Sequence, residues 1–259
     1  MNAISVQSLT AGYDQHMILQ DVNVEIPEGK ITVMIGPNGC GKSTLLKNIA
    51  RIHKPKNGKI LLYQEDMQKM HPKQIAKKMA ILPQSPITPA GLLVKELVAY
   101  GRFPYQKPLG SLTKEDYDII DWAMKETGVY DQREQYVENL SGGQRQRAWI
   151  AMALAQQGDV LVLDEPTTYL DISYQLEILE LLKKLNQDKK QTIVMVLHEL
   201  QLACRYGDHI IGMKEGKIIF EGHPNNVISE ENLNKLYGIK VQLHHDEIKN
   251  YPVIMDYRI

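Results

Sequence analysis

The stretch Ile31-Thr32-Val33-Met34-Ile35-Gly36-Pro37-Asn38-Gly39-Cys40-Gly41-Lys42-Ser43-Thr44 decides how this chain folds. Ile31, Val33 and Ile35 alternate as a strand entering a core. Gly36 to Ser43 matches the spacing G-x-x-x-x-G-K-[ST] at every fixed position, and residues 44–50 read as a helix. The order has a physical reason. Glycines let the backbone curl with its N–H groups pointing inward, and the following helix adds the positive end of its dipole. Such a loop, residues 36–44 with the helix start, cradles the phosphates of a nucleoside triphosphate. Lys42 is then placed to reach the outer phosphates and the Ser43 hydroxyl to ligate Mg²⁺.

At 259 residues the expectation is one α/β domain with a subdomain, and 43% hydrophobic content allows a sizeable core. A formal net charge of −1 argues against a general nucleic-acid or anionic-membrane surface, because both need a basic excess. Cys40 and Cys204 make no disulfide framework or zinc site, which suits a reducing cytosol. Residues 1–10 lack the pattern of a signal peptide. The apolar runs Val160–Leu163 and Ile193–Leu197 are too short to span a bilayer and read as buried parallel strands. A membrane role is expected to come through a partner.

Strands are expected over Ile4–Leu9, Val22–Ile26, Ile31–Ile35, Lys59–Tyr63 and Met79–Leu82, with a short helix beginning at Pro72. Between Pro83 and Gly158 the texture changes. Prolines at 83, 86, 89, 104 and 108 break up its start, and helical signals then take over. Thr113-Lys114-Glu115-Asp116 resembles a capping box for a helix that Gly128 ends, and a second helix runs from about Gly142 to Gly158. Core texture returns with Val160–Leu163, a helix from Ile172 to about Asn186, strand Thr192–Leu197, a helix near Glu199–Tyr206 and a hairpin turning at Glu215-Gly216. The expected organisation is a core over residues 1–84 and 158–222, a helical insertion over 85–157, and a tail over 223–259 with a helix at Glu230–Tyr237 and two edge strands. In that tail His244-His245-Asp246 reads as a solvated edge rather than a metal site, since adjacent strand residues point to opposite faces.

Two further segments carry chemistry. Val160–Leu163 ends in Asp164-Glu165, and ligands of open α/β sheets gather at the carboxyl ends of strands. Asp164 is placed to hold Mg²⁺ through water and Glu165 to polarise an attacking water. Leu140-Ser141-Gly142-Gly143-Gln144 puts a hydroxyl and two glycines at a helix start, a second anion site by the same dipole logic.

Taken together, residues 12–222 resemble the nucleotide-binding subunit of ATP-binding-cassette (ABC) transporters. The order is Walker A (Gly36–Ser43), glutamine loop (Gln84), signature (Leu140–Gln144), Walker B (Val160–Asp164) and switch histidine (His198). The resemblance implies a P-loop α/β cassette: a RecA-like core sheet, an antiparallel β subdomain and a helical insertion. It implies ATP and Mg²⁺ as ligands, and two copies closing head to tail so that each signature meets the other's ATP. Gln84 would link Mg²⁺ and the water to the helical insertion, His198 would contact the γ-phosphate, and Asp171 matches the loop that touches the partner. Tyr13 occupies the position where the family stacks an aromatic ring on adenine. The implied partners are two polytopic permease subunits, with a substrate-binding protein engaged indirectly, at the cytoplasmic face of the cell membrane.

Ile81-Leu82-Pro83-Gln84, residues 96–104, residues 144–153 and residues 164–172 are similar to importer ATPases for iron–siderophore complexes, with vitamin B12 importers as near relatives. Haem or another metal chelate is the alternative cargo. Two departures stand out: Glu199 where the family usually carries Asp, and Tyr169 where many members carry a small residue. An ABC ATPase acting on nucleic acid usually adds a coiled coil, zinc module or second cassette, and none is visible. A non-hydrolysing sensor would lack the base or the switch, yet Glu165 and His198 are both present. A permease helix is expected to dock near Leu92–Phe103, with Leu92 and Val98 as contact residues. Cys40, at a helix N-terminus beside Lys42, is expected to react with thiol reagents.

Overall fold

In the computed structural model, which describes residues 1–14, 16–84, 86–87, 89–107, 110–245 and 251–258, the chain opens with β1 (Asn2–Tyr13) and β2 (His16–Pro27). Next come β3 (Ile31–Ile35), α1 (Lys42–Ile49), β4 (Asn57–Leu62), β5 (Glu65–Asp66), α2 (Pro72–Lys78) and β6 (Met79–Leu82). The middle is helical: α3 (Val94–Ala99), a 3-10 turn (Tyr100–Tyr105), α4 (Lys114–Glu126) and α5 (Gly142–Ala155). Then follow β7 (Val160–Leu163), α6 (Ile172–Lys189), β8 (Thr192–Val196), α7 (Leu200–Tyr206), β9 (His209–Lys214) and β10 (Lys217–Gly222). The tail holds α8 (Pro224–Val227), α9 (Glu230–Tyr237), β11 (Lys240–His245) and β12 (Pro252–Arg258). Two compact units result, residues 1–70 with 185–259 and residues 71–184.

The first unit contains two kinds of sheet. β2, β1, β4 and β5 lie in that order as an antiparallel sheet. β3 lies between β8 and β9 and runs parallel to both, while β10 returns antiparallel to β9. All five residues of β3 and all five of β8 are buried, which explains their unbroken apolar character. The β9–β10 turn falls at Glu215-Gly216, both with positive φ. The tail hairpin β11–β12 is antiparallel. His244 is exposed there; Asp246 of the sequence triplet lies outside the described residues.

The second unit pairs β6 with β7 in parallel, Leu82 opposite Leu163. Its helical core is made by Val94, Leu97 and Val98 of α3, Ile120, Ala123 and Met124 of α4, and the alanine-rich inner length of α5. Small residues on α5 let its neighbours approach closely. The capping box at Thr113 forms as the sequence suggests: the Asp116 N–H donates to Thr113 Oγ1 at 3.2 Å, and the Asp116 carboxylate accepts from the Thr113 N–H at 2.9 Å and hydroxyl at 2.7 Å. A buried ion pair ties these pieces together: Arg102 Nε donates to Asp116 Oδ1 at 2.8 Å, and its guanidinium donates to Ala155 O at 2.8 Å and Gln157 Oε1 at 3.0 Å. Two expectations are corrected. The proline-rich start carries a helix, α3, and Pro104 sits inside the 3-10 turn, where its fixed φ is compatible. Val98 is 0% exposed, so it belongs to the core of this unit and is no docking residue.

Candidate nucleotide site

The phosphate loop lies in the first unit, between the buried β3 and α1. Gly36 has φ +147, and a Cβ there would sit 2.1 Å from Met213 O, so only glycine fits. Asn38 and Gly39 form the exposed tip, while Cys40, Gly41, Lys42 and Thr44 are buried. Lys42 folds back over the loop and donates from Nζ to Gly36 O at 2.7 Å and Pro37 O at 3.0 Å; the Cys40 sulfur lies 3.8 Å away. The lysine is thus held at the concave side of the curl by carbonyls. Gly41 caps α1, and Ser43 lies in the first turn of that helix.

Three contacts around this loop were not legible in the sequence. The Gly216 N–H, from the β9–β10 turn, donates to Cys40 O at 2.9 Å. Tyr237, at the end of α9, is hydrogen-bonded to the backbone of Gly36; burial pushes its hydroxyl above the ordinary tyrosine range. Tyr13 closes β1 with its ring partly exposed and 4.8 Å from the His53 ring, tilted by 57°. His198 is exposed between β8 and α7, and the adjoining Glu199 is the N-cap residue of α7 without a side-chain cap bond.

The second unit carries the carboxylates. Because Leu82 and Leu163 are paired in parallel register, Gln84 and Glu165 leave the two strand ends side by side. Gln84 Nε2 donates to Glu165 Oε2 at 2.5 Å. Thr168 Oγ1 donates to the same oxygen at 2.9 Å. Asp164 is buried, and its N–H donates to Leu82 O at 2.9 Å. Leu140, the first residue of the signature, is buried. Ser141 caps α5: its Oγ accepts from the Gln144 N–H at 3.3 Å, and Gln144 Oε1 accepts from the Ser141 N–H at 3.1 Å. Gly142 opens the helix, and a Cβ on Gly143 would come within 2.7 Å of the Tyr174 ring. Asp171 Oδ1 accepts from the Ser173 hydroxyl at 2.7 Å and the Tyr174 N–H at 3.1 Å, and these bonds hold its carboxyl below the usual range. Beside it Tyr169 is 92% exposed.

The donor set suits a magnesium–nucleotide complex. Among the described residues no group of three or more His, Cys, Asp or Glu is placed to hold a metal by itself. Mg²⁺ is usually held by one or two protein oxygens plus substrate phosphates and water, so a hydroxyl and one carboxylate suffice.

Residues 19–168 match the model of the ABC transporter family. The iron(3+)-hydroxamate import ATP-binding protein FhuC of Bacillus subtilis (strain 168) is 49% identical over 257 residues, covering 99% of this chain and 96% of that protein. An inward-facing metal-chelate type ABC transporter superposes with a TM-score of 0.84 at 28% identity, covering 98% of this chain and 96% of that chain. The dimeric post-hydrolysis cassette MJ0796, bound to ADP and Pi, gives a TM-score of 0.73 at 28% identity over 85% of this chain and 98% of its own. Loop, strand-end carboxylates and relatives agree: the chain belongs to the ABC transporter family, as one of its ATP-binding, ATP-hydrolysing subunits.

Proposed function

We propose that this chain powers the import of ferric siderophores, hydrolysing ATP on the cytoplasmic face of the cell membrane while two permease subunits form the pathway. The observation that carries the catalytic part is the convergence of Gln84 on Glu165 at the ends of two buried parallel strands. The near full-length likeness to an iron-hydroxamate importer's ATP-binding protein supports the cargo. Among the described residues no helix is long and apolar enough to cross a membrane, which supports a peripheral place beside separate permease subunits.

ATP binds with its phosphates on residues 36–44 and adenine on Tyr13. Glu165 orients a water and takes its proton as the water oxygen attacks the γ-phosphorus; the bond to the β-phosphate oxygen breaks, leaving ADP and phosphate. Lys42 and His198 contact the γ-phosphate. Ser43, Gln84 and Asp164 are the residues that would hold Mg²⁺, which when bound offsets charge on the β- and γ-phosphates. The working form is a head-to-tail pair in which residues 140–144 of one copy face the nucleotide of the other and Asp171 lies at the junction. Core residues 1–84 and 158–222 carry the nucleotide, residues 85–157 meet the permease, and residues 223–259 form the tail.

The test is uptake of labelled ferric hydroxamate in a deletion strain. Wild-type protein restores uptake, while Glu165→Gln binds ATP, accumulates closed dimers and restores nothing. Normal iron-limited growth of the deletion strain on every siderophore tried would point instead to vitamin B12, haem or another chelate. Near-normal hydrolysis by Glu165→Gln would overturn the base.

A further inference from the structure

We propose that Thr168 is a positioning residue for the Glu165 carboxylate, holding it in place when Gln84 turns to its other duties. Glu165 has φ +54, a left-handed backbone that a glutamate rarely adopts. Such a residue persists only where its surroundings hold it, and it is common where a side chain must be aimed. The turn after it is closed by the Thr168 N–H donating to Glu165 O at 3.3 Å, and Tyr169 follows with φ +65. The Thr168 hydroxyl then reaches back to Glu165 Oε2 at 2.9 Å, so backbone and side chain of one residue hold backbone and side chain of the other.

Gln84 donates to that same oxygen at 2.5 Å, but from the end of a different strand. The proposed function also asks Gln84 to serve the metal through Oε1 and the attacking water through its amide N–H groups, so the bond from Nε2 to Glu165 competes with the bond to water. Thr168 sits three residues from Glu165 on the same turn and moves with it. Its hydroxyl therefore keeps the carboxylate aimed throughout the cycle, whichever way Gln84 points.

This inference rests on Glu165 being the base, so the experiment separates the two. MgATP hydrolysis by the purified full chain is measured for Thr168→Val, Thr168→Ser and Glu165→Gln. Valine keeps the β-branch and the backbone bond while removing the donor. Thr168→Val is expected to lose about tenfold in kcat, the range for a hydrogen bond to a charged group, with KM for ATP changed less than about twofold. Thr168→Ser is expected to recover most of the rate. A Thr168→Val enzyme at wild-type kcat, a loss confined to KM, or a serine variant as slow as the valine one would each overturn the role of Thr168. Glu165→Gln at wild-type rate would overturn the base and this role with it. An inactive Glu165→Gln beside an unimpaired Thr168→Val would overturn the role of Thr168 alone.

Discussion

Tyr237 of α9 is hydrogen-bonded to the backbone of Gly36, the residue that opens the phosphate loop. The Gly216 N–H of the β9–β10 turn donates to Cys40 O in the same loop, and Met213 O takes up the space that a Cβ on Gly36 would need. The nucleotide loop is therefore shaped by chain that follows the last catalytic motif. Burial keeps the Tyr237 hydroxyl neutral well above physiological pH, so it stays a hydrogen-bonding group throughout. Tyr237→Phe keeps the ring and removes this bond. It is expected to weaken ATP binding by about three- to tenfold, the value of one neutral hydrogen bond, with little change in melting temperature. Titration with a fluorescent ATP analogue checks it; an unchanged Kd would make the contact incidental.

Cys40 and Cys204 are both buried, yet they are expected to respond differently to an alkylating reagent. Burial pushes the Cys204 thiol up to about 12, leaving almost no thiolate to react. Cys40 lies in the loop with its sulfur 3.8 Å from the Lys42 ammonium. An adduct on this buried sulfur is expected to distort the loop on which the proposed function seats the phosphates. Alkylation is expected to modify Cys40 alone, to abolish hydrolysis, and to be blocked by MgATP. Cys40→Ser should keep activity and lose the sensitivity. Mass spectrometry locates the adduct, and an enzyme that ignores the reagent would refute the idea.

The parts legible in the sequence were those set by local order. An apolar run, a glycine-rich loop and a helix follow one another in the chain, so Gly36 to Ser43 could be read directly. Gln84 and Glu165 could each be placed at a strand end; only the register of β6 with β7 brings the two together. Tyr237, Gly216 and the His53 ring beside Tyr13 carry no local signal, because their partners are distant in sequence. Thr168 had one: a hydroxyl three residues past Glu165 in a turn is placed to bond back to it. The prolines at 83, 86 and 89 obscured α3, because they break up the stretch before it while residues 94–99 themselves carry none. Val98 misled for a related reason, since a short apolar helix gives no clue to which of its faces is covered.

The Arg102–Asp116 pair should carry much of the second unit's stability. Burial by itself would raise the Asp116 carboxyl, but the Thr113 N–H and hydroxyl and the Arg102 guanidinium together hold it below its ordinary value of 3.8. A depressed folded value means that the contribution is present above the unfolded value and is lost as pH falls through the folded one. In the wild type the pair is therefore intact throughout the neutral range. Arg102→Met leaves the carboxylate buried without its partner and is expected to cost about 3 kcal/mol at about pH 7. Burial then raises Asp116 in the variant, so the deficit should shrink towards about pH 4 as the group neutralises. Denaturant unfolding at the two pH values checks this; a deficit independent of pH would show that packing, rather than charge, is what the arginine supplies.

The last prediction concerns the permease. Tyr100 and Phe103 stack with ring centroids 5.1 Å apart and planes 16° from parallel. They are 39% and 57% exposed, whereas Val98, two residues before Tyr100, is wholly buried. An exposed stacked pair beside the buried face of α3 offers apolar surface on a rigid base, the kind that a partner helix covers. It lies in the stretch that follows Gln84, the residue proposed to report on the nucleotide. Phe103→Glu is expected to leave ATP hydrolysis by the isolated protein unchanged, while co-purification with the permease and siderophore uptake are both lost. Val98→Glu should behave differently, because a buried charge without a partner unfolds the helical unit and takes hydrolysis with it. Full uptake by Phe103→Glu would remove this surface from the docking site. A soluble, active Val98→Glu protein would show that α3 is less tightly covered than its burial implies.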